Sequence, residues 1–271
     1  MAPASLKIAI FGAGGRMGRA LIQAVSETEG AALAGALENT SSPSIGKDAS
    51  ASAGLSNSGV AIESDAAKAL ADAGAVIEFS TPAATVEHAA LVAARAIPYV
   101  VGTTGLSAAD EKALAKAAER APVVYAANYS VGVTLLADLV KRTAGLLGPE
   151  FDIEVFEMHH RHKVDTPSGT ALMLGRSADA GRNVKLDDVA LRGRDGIVGP
   201  RPAGGIGFAS VRGGDVAGDH TVIFAGESEQ IELTHKAAGR TIFAKGAVRA
   251  ALWAAGKPPG LYSMRDVLGL N

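Results

Sequence analysis

The sequence predicts an α/β protein in which a parallel α/β unit is followed by a more open antiparallel sheet and then by a helix that could return to the first unit. Three observations carry this prediction. Up to about residue 128, short apolar runs alternate with segments of helical spacing, which indicates a parallel sheet built from crossover units. Beyond that point, strand-length segments alternate apolar and polar residues, as in strands with one wet face. A last helical pattern covers about 242–255.

The elements of the parallel unit follow from run length and spacing. Its strands, apolar runs of the kind buried on both faces, are expected at 6–11, 31–38, 76–79, 99–101 and 123–125. Its helices, with apolar residues three and four positions apart, are expected at 16–28, 83–96 and 108–120. Ser107 is the expected N-cap of the third helix, and Asp110 could close a capping box with it. Residues 40–58 are rich in Ser, Gly and Ala and predict a surface loop.

The second part of the chain begins with a long helix, expected at 132–147. The segment 151–157, FDIEVFE, alternates apolar and acidic residues, which predicts an antiparallel strand with one wet face. Further half-buried strands are expected at 206–212, 221–225 and 230–235. The stretch 193–218 holds nine glycines in 26 residues and is expected to be rich in loops.

Composition excludes several classes of protein. The chain has 271 residues, is 48% hydrophobic and holds 33 glycines, about 12% against a usual value near 7%. The formal net charge of −2 and the lack of a basic run argue against nucleic acid as a partner. With no cysteine, the chain has no disulfide, zinc–cysteine site, iron–sulfur cluster or thiol nucleophile, which fits a cytoplasmic protein. The first apolar run is too short for a signal peptide or a membrane span, so no membrane contact is expected.

The turn after the first strand is rich in glycine. Residues 12–18 read GAGGRMG between a strand and a helix, where the backbone can approach a pyrophosphate and free N–H groups can bind it. The strict GxGxxG spacing fails because Met17 stands at its last position, so the glycines follow a GxxGxxG variant. Glu38 lies 20 residues after Gly18, at the end of the second strand, where an acid can accept hydrogen bonds from a ribose. The pattern favours a dinucleotide site over a purely structural turn.

Two further segments support a ligand site in this unit. GTTG at 102–105 and AANY at 126–129 each follow a predicted parallel strand. Open α/β sheets bind ligands at the carboxyl ends of their strands. The alternative is that GTTG is only a loop before the Ser107 cap.

A cationic segment lies at 157–171, EMHHRHKVDTPSGTA, where three histidines fall within four positions. One interpretation is a solvated charged loop. A second is a metal site, which is disfavoured because adjacent histidines are not the usual helical ligand pair and no cysteine is available. We favour a third, an anion-binding acid/base site, so no metal is expected.

The favoured interpretation assigns chemistry to single residues. On an extended segment, His159, Arg161 and Lys163 would point one way and His160 and His162 the other. Lys163 can donate a proton or hold a developing negative charge. The backbone N–H groups of Gly169 and Thr170, at the start of the next helical pattern, suit a carboxylate. These groups together predict a small anionic substrate.

These motifs make the chain resemble the 4-hydroxy-tetrahydrodipicolinate reductase family, long called dihydrodipicolinate reductase. The resemblance covers essentially the whole chain, and the segment 159–171 is its most specific part. It is carried by GAGGRMG at 12–18, GTTG at 102–105, AANYSVGV at 126–133, HHRHKVDTPSGTA at 159–171, ELTHKA at 232–237 and FAKGAVRAALW at 243–253.

The resemblance implies a two-domain architecture and a reaction. A Rossmann-type dinucleotide-binding domain would comprise 1–129 and 240–271, and an inserted α+β domain with an open mixed or antiparallel sheet, 130–239, would bind substrate and form a homotetramer. The family's reaction belongs to the diaminopimelate route to lysine. Hydride passes from a nicotinamide cofactor to C4 of a cyclic unsaturated dicarboxylate, with loss of water from its 4-hydroxy form.

The resemblance also assigns roles to residues. His159 matches the family's acid/base residue and Lys163 its proton donor, while His160, Gly169 and Thr170 match contacts to substrate carboxylates. The positions that match cofactor contacts are Gly12, Ala13, Gly14, Gly15, Arg16, Met17, Glu38, Gly102, Thr103, Thr104, Ala126, Ala127, Asn128 and Tyr129. Two further histidines are expected to have no catalytic role. His88 is expected to be an ordinary helical residue, and His235 is expected to be structural, because it ends a half-buried strand.

One departure from the family pattern concerns the cofactor. Members that use NADPH well often carry an arginine directly after the acidic residue, whereas Asn39 follows Glu38 here. Asn39 offers no cation to a 2′-phosphate and Glu38 would repel that phosphate, although Arg16 could compensate in part. We therefore expect NADH to be used at least as well as NADPH.

Three other functions stay open at this point. A nucleotide-sensing regulator would bind NAD(H) but would not need the histidine segment. Another small reductase, such as an amino-acid dehydrogenase, would share the glycine turn but is not expected to share HHRHKVDTPSGT. The second part could also be mainly an assembly module.

Overall fold

The structure, a computed structural model, describes residues 5–270. Its strands are Leu6–Phe11 (β1), Ala31–Leu37 (β2), Ile62–Glu63 (β3), Ala75–Glu78 (β4), Tyr99–Val101 (β5), Pro122–Tyr125 (β6), Asp152–His159 (β7), Ala190–Arg192 (β8), Ile206–Arg212 (β9), Asp219–Ala225 (β10), Gln230–Lys236 (β11) and Gly260–Tyr262 (β12). Its helices are Arg16–Glu27 (α1), Ala49–Ser52 (α2), Ala66–Ala69 (α3), Pro82–Ala94 (α4), Ala108–Ala117 (α5), Val131–Leu146 (α6), Gly169–Arg182 (α7), Leu186–Val189 (α8), Thr241–Ala254 (α9) and Met264–Leu268 (α10).

The first sheet has seven parallel strands in the order β12-β6-β5-β4-β1-β2-β3. Apolar clusters cover both of its faces, which explains why its strands are continuous apolar runs rather than alternating ones. In β1, Ile8 and Ile10 belong to one cluster and Ala9 and Phe11 to the other. The predicted parallel, Rossmann-type unit is confirmed.

The C-terminal segment completes this first unit. Helix α9 buries Ala247, Ala251 and Ala254 in the same cluster as α1, and β12 adds a strand beside β6. Gly246 permits the close approach, because a Cβ there would lie 1.8 Å from the carbonyl oxygen of Tyr129. By contacts, the chain divides into two compact units, one running to Val131 and resuming at Arg240, the other spanning Gly132–Gly239.

The second unit is built on a five-stranded sheet in the order β11-β10-β7-β9-β8. Strand β7 pairs antiparallel with β10 but parallel with β9, so the sheet is mixed. The expected open mixed or antiparallel sheet is confirmed, and the predicted antiparallel strand at 151–157 is antiparallel to one of its two neighbours, because alternation reports a wet face and not strand direction. The wet face itself is confirmed: Ile153, Val155, Glu157 and His159 are buried, whereas the residues between them are not.

The structure agrees with some of the local sequence signals and departs from others. Ser107 caps α5 in a capping box with Asp110, as predicted. The stretch 40–58 is not a plain surface loop, because it contains the helix α2, capped by Asp48. Periodicity missed seven short elements of two to five residues, namely α2, α3, α8, α10, β3, β8 and β12. No helix in the described chain combines the length and the apolar character needed to cross a bilayer.

Candidate active site

The glycine turn in the first unit packs tightly against a neighbouring strand end. Gly12 has φ +80°, and a Cβ there would lie 2.4 Å from the carbonyl oxygen of Phe79. A Cβ on Gly18 would lie 2.2 Å from the carbonyl oxygen of Gly12. Helix α1 starts after Gly15, which has no side chain to accept from the N–H groups of the first turn. These N–H groups, beside a turn with little side-chain bulk, fit the pyrophosphate of a dinucleotide.

Glu38 is held directly against this turn. Its Oε1 accepts a hydrogen bond from the Gly14 N–H at 3.1 Å, and its Oε2 accepts from the Asn39 N–H at 2.9 Å. Arg16, the cationic residue of this turn, is exposed. A carboxylate therefore lies where a ribose would reach the end of β2.

The other predicted cofactor residues lie after β5 and β6. Thr103 is buried and its hydroxyl lies 2.8 Å from that of Thr85, whereas Thr104 is exposed. The buried hydroxyl of Tyr129 lies within 2.9 Å of the carbonyl oxygens of both Val101 and Val124. The side chains of Thr103 and Tyr129 thus support the two loops from inside the unit. Gly102, Ala126, Ala127 and Asn128 lie in these same loops.

The second unit contains a buried charged network at the end of β7. Nδ1 of His159 lies 2.5 Å from Oε2 of Glu157, two residues earlier on the same face. The Arg212 guanidinium, from β9, donates to both carboxylate oxygens at 2.8 and 2.9 Å. Burial raises the pKa of Glu157, but the hydrogen bonds, led by those from Arg212, outweigh it and lower the pKa to about 2. Glu157 is therefore a carboxylate at neutral pH.

His220, on β10, extends this network. Its ring centroid lies 5.0 Å from that of His159, and its Nε2 lies 3.1 Å from the hydroxyl of Ser168. Burial and the neighbouring charge of His159 lower the pKa of His220 to about 4. At neutral pH, His220 is therefore neutral and Glu157 is charged.

The helix proposed to hold a carboxylate starts beside this network. Ser168 caps α7, its hydroxyl accepting from the Ala171 N–H at 3.1 Å, while its own N–H donates to Glu157 Oε1 at 3.2 Å. Gly169 and Thr170 are the first two residues of the helix. The side chain of His159 and the start of α7 therefore share a single carboxylate, that of Glu157.

Lys163 lies on a turn rather than on an extended strand. The Lys163 N–H donates to the His160 carbonyl at 3.1 Å, which closes a turn directly after β7. The predicted alternation of side chains from His159 to Lys163 was therefore wrong beyond His159. The Lys163 ammonium lies 2.9 Å from Asp165 and lowers the pKa of that carboxyl.

The remaining histidines of the segment do not form a metal centre. His160 and His162 have ring centroids 6.3 Å apart. Across residues 5–270, the structure shows no group of three or more His, Asp or Glu side chains arranged to hold a metal ion.

A glycine lies against Nε2, the second ring nitrogen of His159. A Cβ on Gly218, which has φ +152°, would lie 2.9 Å from Nε2 of His159. This assigns a role to one of the nine glycines between 193 and 218. Sequence reasoning missed Gly218, Glu157, Arg212 and His220. Only Glu157 left a signal, because the alternation of FDIEVFEMH places it on the face of His159.

Comparison with known proteins identifies the family of the chain. Two family models match consecutive parts of the chain: dihydrodipicolinate reductase, N-terminus, over residues 6–129, and dihydrodipicolinate reductase, C-terminus, over 132–268. A 4-hydroxy-tetrahydrodipicolinate reductase of Rhodopseudomonas palustris (strain BisB18) is 55% identical over 266 residues, covering 98% of both chains. The enzyme of that name from Brucella abortus (strain 2308) is 54% identical over 265 residues, covering 97% of this chain and 99% of its own.

Solved structures show the same fold. A dipicolinate-bound dihydrodipicolinate reductase from Paenisporosarcina sp. TG-14 superimposes with a TM-score of 0.78 at 22% identity, over 96% of this chain and 97% of its own. A probable dehydrogenase from Thermotoga maritima reaches 0.62 at 11% identity, over 97% of this chain and 92% of its own. The family models together span nearly the whole described chain, and the chain belongs to the dihydrodipicolinate reductase family.

Proposed function

We propose that this chain reduces 4-hydroxy-tetrahydrodipicolinate to tetrahydrodipicolinate through the acid/base site around His159. Family membership makes the chain an oxidoreductase of the diaminopimelate route to lysine, with a domain that binds a nicotinamide dinucleotide. The observation that carries the residue roles is the buried His159, paired with a charged Glu157 beside the start of α7. A proton-transfer group and an anion-binding helix start are what the reduction of a cyclic dicarboxylate needs.

The roles divide between the two sides of His159. Nδ1 contacts Glu157, so Nε2 is the nitrogen left to exchange a proton with substrate or solvent. Lys163 donates a proton or stabilises the negative charge that develops on the substrate. The N–H groups of Gly169 and Thr170, with His160, hold the substrate carboxylates. The bound cofactor supplies the hydride.

We also propose that NADH serves at least as well as NADPH. Glu38, held by the Gly14 N–H, would accept from ribose hydroxyls, whereas a 2′-phosphate would meet its negative charge and find no cation at Asn39. The test is kcat/KM for both cofactors under the same conditions. A strong preference for NADPH would refute this part of the proposal.

The proposed partners are a small dicarboxylate and further copies of the chain in a homotetramer. Strand β11 forms an edge of the second sheet, and most of its residues are exposed, which supports assembly through this unit. Light scattering coupled to size exclusion is expected to give a mass near four chains of 27.3 kDa. A monomer at micromolar concentration would contradict it.

The experiment that tests the reaction is a coupled assay. A condensing enzyme produces the cyclic dicarboxylate from aspartate semialdehyde and pyruvate, and the loss of NADH absorbance is followed after this chain is added. We expect oxidation of NADH only when both precursors and the condensing enzyme are present. A nucleotide-sensing protein would bind NADH without oxidising it, so binding without turnover would refute the proposal.

A further inference from the structure

The carboxylate of Glu157 has an unusual set of neighbours. It is fully buried, and every neighbour that the structure gives it can donate a hydrogen bond. Arg212 donates to both oxygens, the Ser168 N–H donates to Oε1, and the imidazole of His159 contacts Oε2. The Ser210 side chain also hydrogen-bonds to the carboxylate. A buried carboxylate with these partners is fully satisfied as an acceptor.

This arrangement determines where His159 carries its proton. Arg212 and the Ser168 N–H are obligate donors, so the carboxylate can only accept, and the 2.5 Å contact requires a proton on Nδ1. Neutral His159 therefore holds its proton on Nδ1 and presents a lone pair at Nε2. Charged His159 adds its second proton at Nε2, the atom beside Gly218. All proton exchange is thereby directed to one atom.

The same carboxylate also fixes the helix start. Ser168 is the N-cap of α7, and its N–H donates to Glu157 while its hydroxyl caps the helix. Moving Glu157 would therefore shift both the imidazole and the first N–H groups of α7. Arg212 holds the carboxylate in place and also donates to the carbonyl of Asp165, in the loop that carries Lys163.

We propose that Glu157, held by Arg212, is the positioning residue of this site, which sets the tautomer of His159 and aligns it with the start of α7. The inference rests on the proposed function, since it assigns Glu157 to the same reduction. Glu157 is assigned no contact with substrate or cofactor in this proposal. Its effect passes through His159 and Ser168.

The first test replaces Glu157 by glutamine, which keeps the shape but removes the charge. An amide can accept from or donate to the ring, so either tautomer of His159 becomes allowed. We expect kcat to fall by roughly 10² to 10⁴-fold, as for loss of the orienting carboxylate in other acid/base pairs. We expect KM for NADH and for the dicarboxylate to change by less than about 3-fold.

A matched control lies on the same strand. Glu154 also pairs with arginine, its Oε1 lying 3.0 Å from Nε of Arg201, but it does not contact His159. Glu154→Gln is expected to keep kcat within about 3-fold of the wild type. If Glu154→Gln lowers kcat as much as Glu157→Gln, loss of a glutamate–arginine pair on β7 explains the effect and the proposal fails.

The second readout needs no substrate. With ¹⁵N-labelled histidine, NMR distinguishes protonated from unprotonated ring nitrogens, and His159→Gln identifies the signals of His159. At a pH where the ring is neutral, we expect Nδ1 protonated in the wild type and a mixture of tautomers in Glu157→Gln. An unchanged tautomer overturns the proposal, as does a normal kcat.

A milder variant covers the case in which Glu157→Gln does not fold. Arg212→Lys keeps the charge but cannot donate to both oxygens. We expect Nδ1 of His159 to stay protonated, because Glu157 remains a carboxylate, and kcat to fall less than in Glu157→Gln. An unchanged kcat in Arg212→Lys, or a proton on Nε2 instead of Nδ1 in the neutral wild type, would overturn the proposal. Because the NMR result does not depend on turnover, an inactive wild type would contradict the proposed function alone.

Discussion

The two compact units each contain a buried glutamate–histidine pair, and the two pairs differ in what else holds the carboxylate. In the first unit, Oε2 of Glu78 lies 2.6 Å from Nδ1 of His88. In the second unit, Oε2 of Glu157 lies 2.5 Å from Nδ1 of His159. Both glutamates are fully buried. Glu157 also has the guanidinium of Arg212, whereas Glu78 has only the Tyr99 hydroxyl, and in the described chain its Oε1 has no hydrogen-bond partner.

The difference concerns what keeps the carboxylate charged. Burial raises the pKa of Glu157, but hydrogen bonds led by those from Arg212 outweigh it and lower the pKa to about 2, so the carboxylate beside His159 is charged at neutral pH. The Glu78 pair instead ties the end of β4 to α4, and the Tyr99 hydroxyl, whose pKa burial and Glu78 raise, adds a third tie. His88 lies in a helix, as expected, and it is in addition the partner of a buried carboxylate.

The strongest way to break the comparison is to truncate both pairs and measure turnover. His159→Ala is expected to lower kcat by roughly 10²-fold or more, because the site loses its acid/base group. Lys163→Ala is expected to do the same through loss of a proton donor. His88→Ala is expected to keep kcat within a few-fold. Steady-state assays measure kcat for each variant, and NADH binding serves as the control for folding. A similar loss of kcat in all three variants would mean that the two glutamate–histidine pairs do not differ in their importance for turnover.

Stability should respond in the opposite order. His88→Ala removes the main partner of a buried carboxylate, so we expect the free energy of unfolding to fall by about 3 kcal/mol. His159→Ala leaves Glu157 with Arg212 and the Ser168 N–H, so we expect a loss of about 1 kcal/mol. Urea unfolding monitored by circular dichroism measures both. Equal losses would mean that Arg212 does not support Glu157.

The smallest expected effect is a loss of stability at acid pH. The pKa of His220 is lowered to about 4, so its contribution to stability is complete above pH 6.5 and is lost as pH falls from 6.5 to 4. Glu157, with its pKa lowered to about 2, loses its contribution only below pH 4.5. We therefore expect the melting temperature of the wild type to fall between pH 7 and 4.

A variant of His220 isolates this step. His220→Gln is expected to show a shallower fall in melting temperature between pH 6.5 and 4, while the exposed control His162→Gln is expected to follow the wild type. Parallel curves for all three proteins would show that His220 does not carry the acid sensitivity.

Sequence patterns predicted those features of the fold that depend on residues close together in the chain. The parallel strands, the capping box at Ser107 and the buried face of β7 all follow from run length, spacing or alternation. Partners supplied by other strands left no such signal. Arg212 reaches Glu157 because β9 pairs with β7 in a particular register, and His220 reaches His159 from β10. Local spacing does not encode these registers, so the network around His159 emerged only from the fold.

The turn after β7 illustrates the same limit from the other side. The amino-acid sequence does not show where this strand ends. The expected alternation of side chains therefore runs on from His159 to Lys163. The strand ends at His159, where the backbone instead bonds to residues 213 and 214. The catalytic roles of His159 and Lys163 stay predictions, as do the binding roles of His160, Gly169, Thr170 and the cofactor loops.

The return of α9 to the first unit has a consequence for how the chain is made. Synthesis runs from the N-terminus, so residues 6–129 emerge while the face of the sheet that holds α1 still lacks Ala247, Ala251 and Ala254. The whole segment 132–239 must be translated before α9 appears, which takes roughly 5 to 20 seconds at ordinary elongation rates. The inserted unit, whose core comes entirely from its own residues, has no such wait. On the ribosome, the unit that is first to emerge is thus the last to be complete.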